Sequence, residues 1–183
     1  MCKIRLYEVV AHDTNLIHCL YQWEVVEPAR EQYTCRPVSP VADWPTFLQE
    51  MRQRLENHSL RVFVAMDAMT GNVLGKIMAF DYNPRNKSAE FGYYLPPENR
   101  GKGFGQSMVA KFLSCMFSDP VWSLNKLYAT TASGNQPSVR LLQSLGFHFE
   151  GVMREHYWFS SGFQDQWHFS LLKREWRTSA NPS

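Results

Sequence analysis

Apolar and polar residues alternate over KIRLYEVV (3–10), then recur at helical spacing from about residue 13. A period of two marks a half-buried strand, and a period near 3.6 marks an amphipathic helix. The helical stretch extends to about residue 33, with Pro28 breaking it. A second helix is expected over WPTFLQEMRQRLE (44–56). Asp43 has the side chain to cap it, and Pro45 fits a first turn, where an amide has no intrahelical acceptor.

The middle of the chain changes period. RVFVAMDA (61–68) and NVLGKIMAFDY (72–82), joined through Thr70, Gly71 and Asn72, predict a hairpin. SAEFGYYL (88–95) predicts a third strand after the turn Asn83-Pro84-Arg85-Asn86. A helix then runs to about residue 118, with Met108, Val109, Phe112, Leu113 and Met116 on its apolar face. LNKLYATTA (124–132) is a strand, and Asn135 to Leu145 a helix stopped by Gly146. FHFEGVMREHYWF (147–159) and FQDQWHFSLLKREW (163–176) form a closing pair around Ser160, Ser161 and Gly162, with a bend or bulge at Glu150-Gly151. The fold class is α/β (α+β): one mixed, mostly antiparallel twisted sheet flanked by helices. A single domain is expected over residues 1–176, followed by a polar tail over 177–183.

Composition narrows the class. The 183 residues suit one well-cored domain, and 44% apolar with 20% charged residues suits a soluble globular protein. No apolar run approaches the roughly 20 residues of a membrane span, and the first residues lack a secretory pattern, so a cytoplasmic location is the expectation. A net charge of +2, with Lys and Arg scattered, argues against nucleic acid. Cys2, Cys19, Cys35 and Cys115 show no metal-ligand spacing with one another or with the histidines. Reduced thiols and no metal are expected. His148, His156 and His168 read as ordinary strand residues.

The chemistry concentrates in ENRGKGFG (98–105), between the third strand and the helix after it. A glycine-rich turn that opens a helix presents unpaired amides and the positive end of the helix dipole to an anion. Arg100 and Lys102 add charge, and Arg100 has a planar fork suited to phosphate oxygens. The spacing of a nucleotide P-loop is absent, and neither glycine register completes a dinucleotide fingerprint. ATP and NAD are therefore disfavoured.

The pattern that does match is R-x-x-G-x-G, at Arg100, Gly103 and Gly105. With it the sequence resembles the GNAT superfamily of acyl-CoA N-acyltransferases. Three further segments resemble its RimJ/RimL branch: AEFGYYL (89–95), NQPSVRLLQSLGFHFEG (135–151) and GFQDQWHFSL (162–171). Together these segments cover about residues 60 to 174; the first 60 residues match less clearly.

The resemblance implies direct transfer of an acetyl group from acetyl-CoA to a primary amine through a tetrahedral intermediate. It implies that the loop (Arg100, Gly101, Lys102, Gly103, Phe104, Gly105 and Gln106) holds the pyrophosphate and the start of the pantetheine arm. The arm lies beside the third strand, and main-chain groups near Tyr94 and Leu95 bond it and the oxyanion. Asn135 is a further cofactor contact. Glu90 is the expected base and Ser138 the expected acid or thiol contact. The tyrosine that many members carry seven residues after the asparagine is replaced here by Leu142. Trp23, Trp44, Tyr93, Tyr157 and Trp158 are candidates for lining an acceptor pocket. The acceptor stays open between a protein N-terminus, a polyamine, an aminoglycoside and an amino sugar. The competing reading is a noncatalytic acyl-CoA-binding module, and an open edge strand would allow a homodimer.

Overall fold

The computed structural model describes residues 4–27, 30–33 and 40–180. Seven strands form one sheet in the order β1-β2-β3-β4-β5-β7-β6. They are β1 (Ile4–Val9), β2 (Leu60–Asp67), β3 (Val73–Asn83), β4 (Ser88–Tyr94), β5 (Lys126–Ala132), β6 (His148–Phe159) and β7 (Gly162–Leu172). All neighbours pair antiparallel except β4 and β5. The mixed, mostly antiparallel sheet expected from the sequence is the one found.

Helices cover both faces. On one face α3 (Phe104–Ser118) and α4 (Gln136–Ser144) close the main core with Phe63, Ile77, Phe91, Leu127 and Phe169. Met108, Val109, Phe112, Leu113 and Met116 are wholly buried there, as their spacing predicts. Each such side chain contributes about 1.5–3 kcal/mol relative to exposure. On the other face α1 (Thr14–Val26) and α2 (Trp44–Glu56) cover the N-terminal half of the sheet, burying Ile17 and Leu20 against Val9, Val62 and Val64.

Local signals explain most boundaries. Asp43 caps α2 by accepting from the Thr46 amide at 3.0 Å. Gly146, at φ 82°, stands just beyond the end of α4. The register shifts between Phe149 and Gly151, where the bulge was expected. Two boundaries differ from expectation. Helix α1 ends at Val26, and a single 3-10 turn follows at Arg30–Tyr33; Pro28, Cys2 and Cys35 lie outside the described residues.

The last strand stops at Leu172, and a further helix, α5 (Lys173–Ala180), replaces the end of the expected strand and the start of the polar tail. The cause is local. Glu175 reaches back to accept from the Leu172 amide at 2.8 Å, half of a capping box. Trp176 then packs against the main core.

Candidate active site

Strands β4 and β5 pair in parallel through three residues each, Ser88–Glu90 beside Lys126–Tyr128. Beyond that they part. Each keeps its outer neighbour, β4 through Tyr94 and β5 through Ala132. The inner edges of both strands are thus unpaired with one another past Glu90 and Tyr128. A cavity of about 1050 Å³ opens there. Its walls are the end of β4, the glycine turn, β5, the first turns of α4, and the tip of the β6–β7 hairpin.

The glycine turn has the backbone its residues suggest. Gly101 and Gly103 have φ of 72° and 78°, the left-handed region that L side chains avoid. Gly103 is the N-cap of α3, so the first amides of that helix emerge at the cavity. Gly105 is buried: a Cβ there would lie 2.9 Å from Leu141 Cδ1. The missing side chain lets α3 approach α4 closely.

The cavity gathers Leu95, Arg100, Gly101, Gly103, Gly105, Gln106, Asn135 and Ser138 of the predicted residues. Four others lie outside its lining. Lys102 is exposed, and Phe104 packs on the main core. Tyr94 turns its side chain to the opposite face, where its hydroxyl donates to Glu27 at 2.8 Å. Glu90 also projects from that face, and its Oε1 accepts from the Thr130 hydroxyl at 2.8 Å. Thr130 does line the cavity.

Two predicted residues have further contacts. Asn135 caps α4, accepting from the Ser138 amide at 3.3 Å, and still faces the cavity. Arg100 donates through Nε to the Leu95 carbonyl at 2.8 Å and through Nη2 to Glu27 at 3.1 Å.

One residue read only as an aromatic is part of a polar pair. The Tyr93 hydroxyl and Ser138 Oγ are 2.9 Å apart, across the cavity side of β4. Burial pushes the Tyr93 phenol above its ordinary pKa, and the bond to Ser138 opposes this only in part. The phenol therefore stays protonated at neutral pH. Alternation along SAEFGYYL already assigned Tyr93 to the face opposite Glu90; what was missing was the position of α4. Tyr157 lines the cavity too, with Phe159 and Gln164 from the hairpin.

A sheet with one short parallel rung, split beside a glycine turn, is shared with proteins of known structure. A crystal structure of spermidine N-acetyltransferase from Vibrio cholerae in complex with CoA and spermine shares the fold, with a TM-score of 0.78 over 95% of this chain and 98% of that one, at 24% identity. A dodecameric structure of that enzyme aligns with a TM-score of 0.77 over 97% of this chain and 98% of that one, at 23% identity.

In sequence, residues 3–148 match the family model described as Acetyltransferase (GNAT) domain. The chain belongs to the GNAT acetyltransferase family. It is 28% identical over 130 residues to spermidine N(1)-acetyltransferase of Vibrio cholerae serotype O1, covering 70% of this chain and 73% of that one. It is 32% identical over 127 residues to the prophage-derived N-acetyltransferase YokL of Bacillus subtilis, covering 68% of each.

Proposed function

We propose that this chain transfers an acetyl group from acetyl-CoA to a primary amine, with the cosubstrate in the split between β4 and β5. The observation that carries this reading is the split itself, continuous with the amides at the start of α3. An extended pantetheine arm would lie along β4 near Tyr94 and Leu95, where it has parted from β5, as an added strand. Its pyrophosphate would meet the turn at Gly101 to Gln106 and the dipole of α3. Asn135 and Ser138 face the same space from α4.

The two faces of β4 divide the chemistry. In this reading Glu90 takes the proton from the attacking amine, directly or through a water, on the face it shares with Thr130. The amine attacks the thioester carbon to give a tetrahedral oxyanion, stabilised by a backbone amide at the end of β4. The C–S bond then breaks, and the thiolate leaves on the opposite face, toward the Tyr93–Ser138 pair. The buried, protonated phenol supplies a proton to sulfur, directly or through Ser138. A thiol is a fair leaving group, with a pKa near 8.5, so this step needs modest help.

A polyamine is the favoured acceptor, supported by the likeness to an enzyme whose name gives spermidine as its substrate. The RimJ/RimL-like branch is read from the segments at 89–95, 135–151 and 162–171 alone. A protein N-terminus is the acceptor that this branch would favour. The exposed edge strand β6 supports self-association, and the related enzyme has a dodecameric structure.

The test is a thermal-shift titration with acetyl-CoA, CoA, NAD and ATP, followed by thiol release with a panel of amines. Stabilisation follows ln(1 + [L]/Kd). Stabilisation by acetyl-CoA and CoA alone, with thiol release on adding spermidine, is the expected result. Binding without thiol release from any amine would favour a noncatalytic acyl-CoA-binding module. No stabilisation by either CoA species would overturn the reading.

A further inference from the structure

Glu27 immediately follows the last residue of α1, and its side chain is 6% exposed. This is a poor place for a carboxylate. The C-terminal end of a helix dipole is negative, and burying a charge costs several kcal/mol unless it is paired. The last turn of α1 has no basic residue to offset either effect. Two partners come from the end of β4 and the start of the glycine turn. Glu27 Oε2 accepts from the Tyr94 hydroxyl at 2.8 Å and from Arg100 Nη2 at 3.1 Å.

The Arg100 guanidinium has further contacts. Its Nε holds the Leu95 carbonyl at 2.8 Å, and its plane lies over the Tyr94 ring at 5.6 Å. One side chain thereby joins the end of β4, the start of the glycine turn and the end of α1. The turn needs such an anchor, because glycine-rich backbone has little conformational preference of its own. Neither Gly101 nor Gly103 has a side chain with which to fix it.

We infer that Glu27 is a positioning residue for the cofactor turn: acting through Arg100, it sets the geometry of Leu95 and of the amides from Gly101 onward. Glu27 does not line the cavity, so its influence on a bound cosubstrate is indirect. The inference rests on the acetyl-CoA reading above. It opposes the simpler view that Arg100 serves as a direct phosphate ligand. The two views predict opposite signs. If the guanidinium acts by binding phosphate directly, the Glu27 charge competes with it, and Glu27→Gln leaves CoA binding unchanged or tighter. If Glu27 positions the turn, the same change weakens CoA binding.

The experiment is calorimetric titration of CoA into wild type, Glu27→Gln, Arg100→Lys and Arg100→Gln, with kcat and KM measured for each. The expected result is about tenfold weaker CoA binding by Glu27→Gln, in line with loss of one charged hydrogen bond. KM for acetyl-CoA should rise by the same factor while kcat changes less than about twofold. Arg100→Lys keeps the charge but loses the fork, so it should fall as far as Arg100→Gln. Arg100 is 42% exposed, so Arg100→Lys keeps the inference open to refutation even if Glu27→Gln does not fold. CoA binding by Glu27→Gln at or above the wild-type level overturns the inference, as does wild-type affinity in Arg100→Lys. Failure of the wild type to bind CoA would sink the acetyl-CoA reading first, and this inference with it.

Discussion

The Tyr93 hydroxyl lies 2.9 Å from Ser138 Oγ, bonding a strand of the split sheet to the first turn of α4. If this pair delivers the proton to the leaving thiolate, Tyr93→Phe and Ser138→Ala should each lower kcat about tenfold, less than usual for a general acid because thiolate leaves easily. The double variant should be little worse than either single one, since both act on one proton. The losses should be measured by thiol release at saturating acetyl-CoA. Because burial raises the Tyr93 pKa above its ordinary value of 10.0, no activity should be lost through its ionisation below about pH 10.

Glu90→Gln keeps the size of the side chain and an oxygen for the Thr130 hydroxyl. Turnover should fall about 10²-fold, with the greatest loss at lower pH, where more of the amine is protonated. Affinity for CoA, measured by titration, should stay at the wild-type value. Unchanged turnover would remove Glu90 from the reaction.

Gly103→Ala separates backbone strain from crowding. Nothing lies within 4 Å of a Cβ at this position, yet φ is 78°. The variant should lose about 1 kcal/mol of stability through the left-handed conformation alone. Urea unfolding monitored by circular dichroism measures this.

His168, on β7, gives the fold a dependence on pH. Desolvation, and then repulsion from His156, hold its pKa below the ordinary 6.5. As pH falls through 6.5 the unfolded chain takes up the proton first, so stability declines from that point downward. Its Nε2 is buried without a hydrogen-bond partner among the described residues. His168→Gln should lose less stability than wild type between pH 7.5 and 5.5 in urea titrations.

Among the described residues strand β6 pairs only with β7, and its other edge has no partner strand. Phe149, Val152, Met153 and Trp158 on it, with Phe163 on β7, are large exposed apolar residues. Such an edge invites pairing with another copy. Light scattering after size exclusion should find an oligomer, and Val152→Lys with Met153→Lys should shift it toward monomer. A monomeric wild type would refute this.

The fold was legible where period and punctuation agreed. The hairpin at Thr70-Gly71-Asn72, the Asp43 cap and the apolar stripe of α3 each needed only neighbouring residues to specify them. The Leu172–Glu175 contact was also local, but apolar alternation masked it. The glycine turn could be located by its spacing, because the demand for left-handed backbone is written in residue type. The partners of Arg100 could not, since Glu27 is 73 residues away in sequence. The same holds for Tyr93, which meets Ser138 across 45 residues. Side-chain pairing over such distances depends on how layers stack, and periodicity does not report that.

A continuous β-sheet is a partition: molecules resting on its two faces cannot touch. Here the three-residue rung between β4 and β5 makes the partition incomplete, and the gap falls beside the strand whose alternate residues carry Glu90 and Tyr93. In the proposed reaction, acetyl-CoA and the amine arrive from opposite sides and meet at that one narrow window. On that reading, the side that admits the amine can vary without rebuilding the side that holds the cosubstrate.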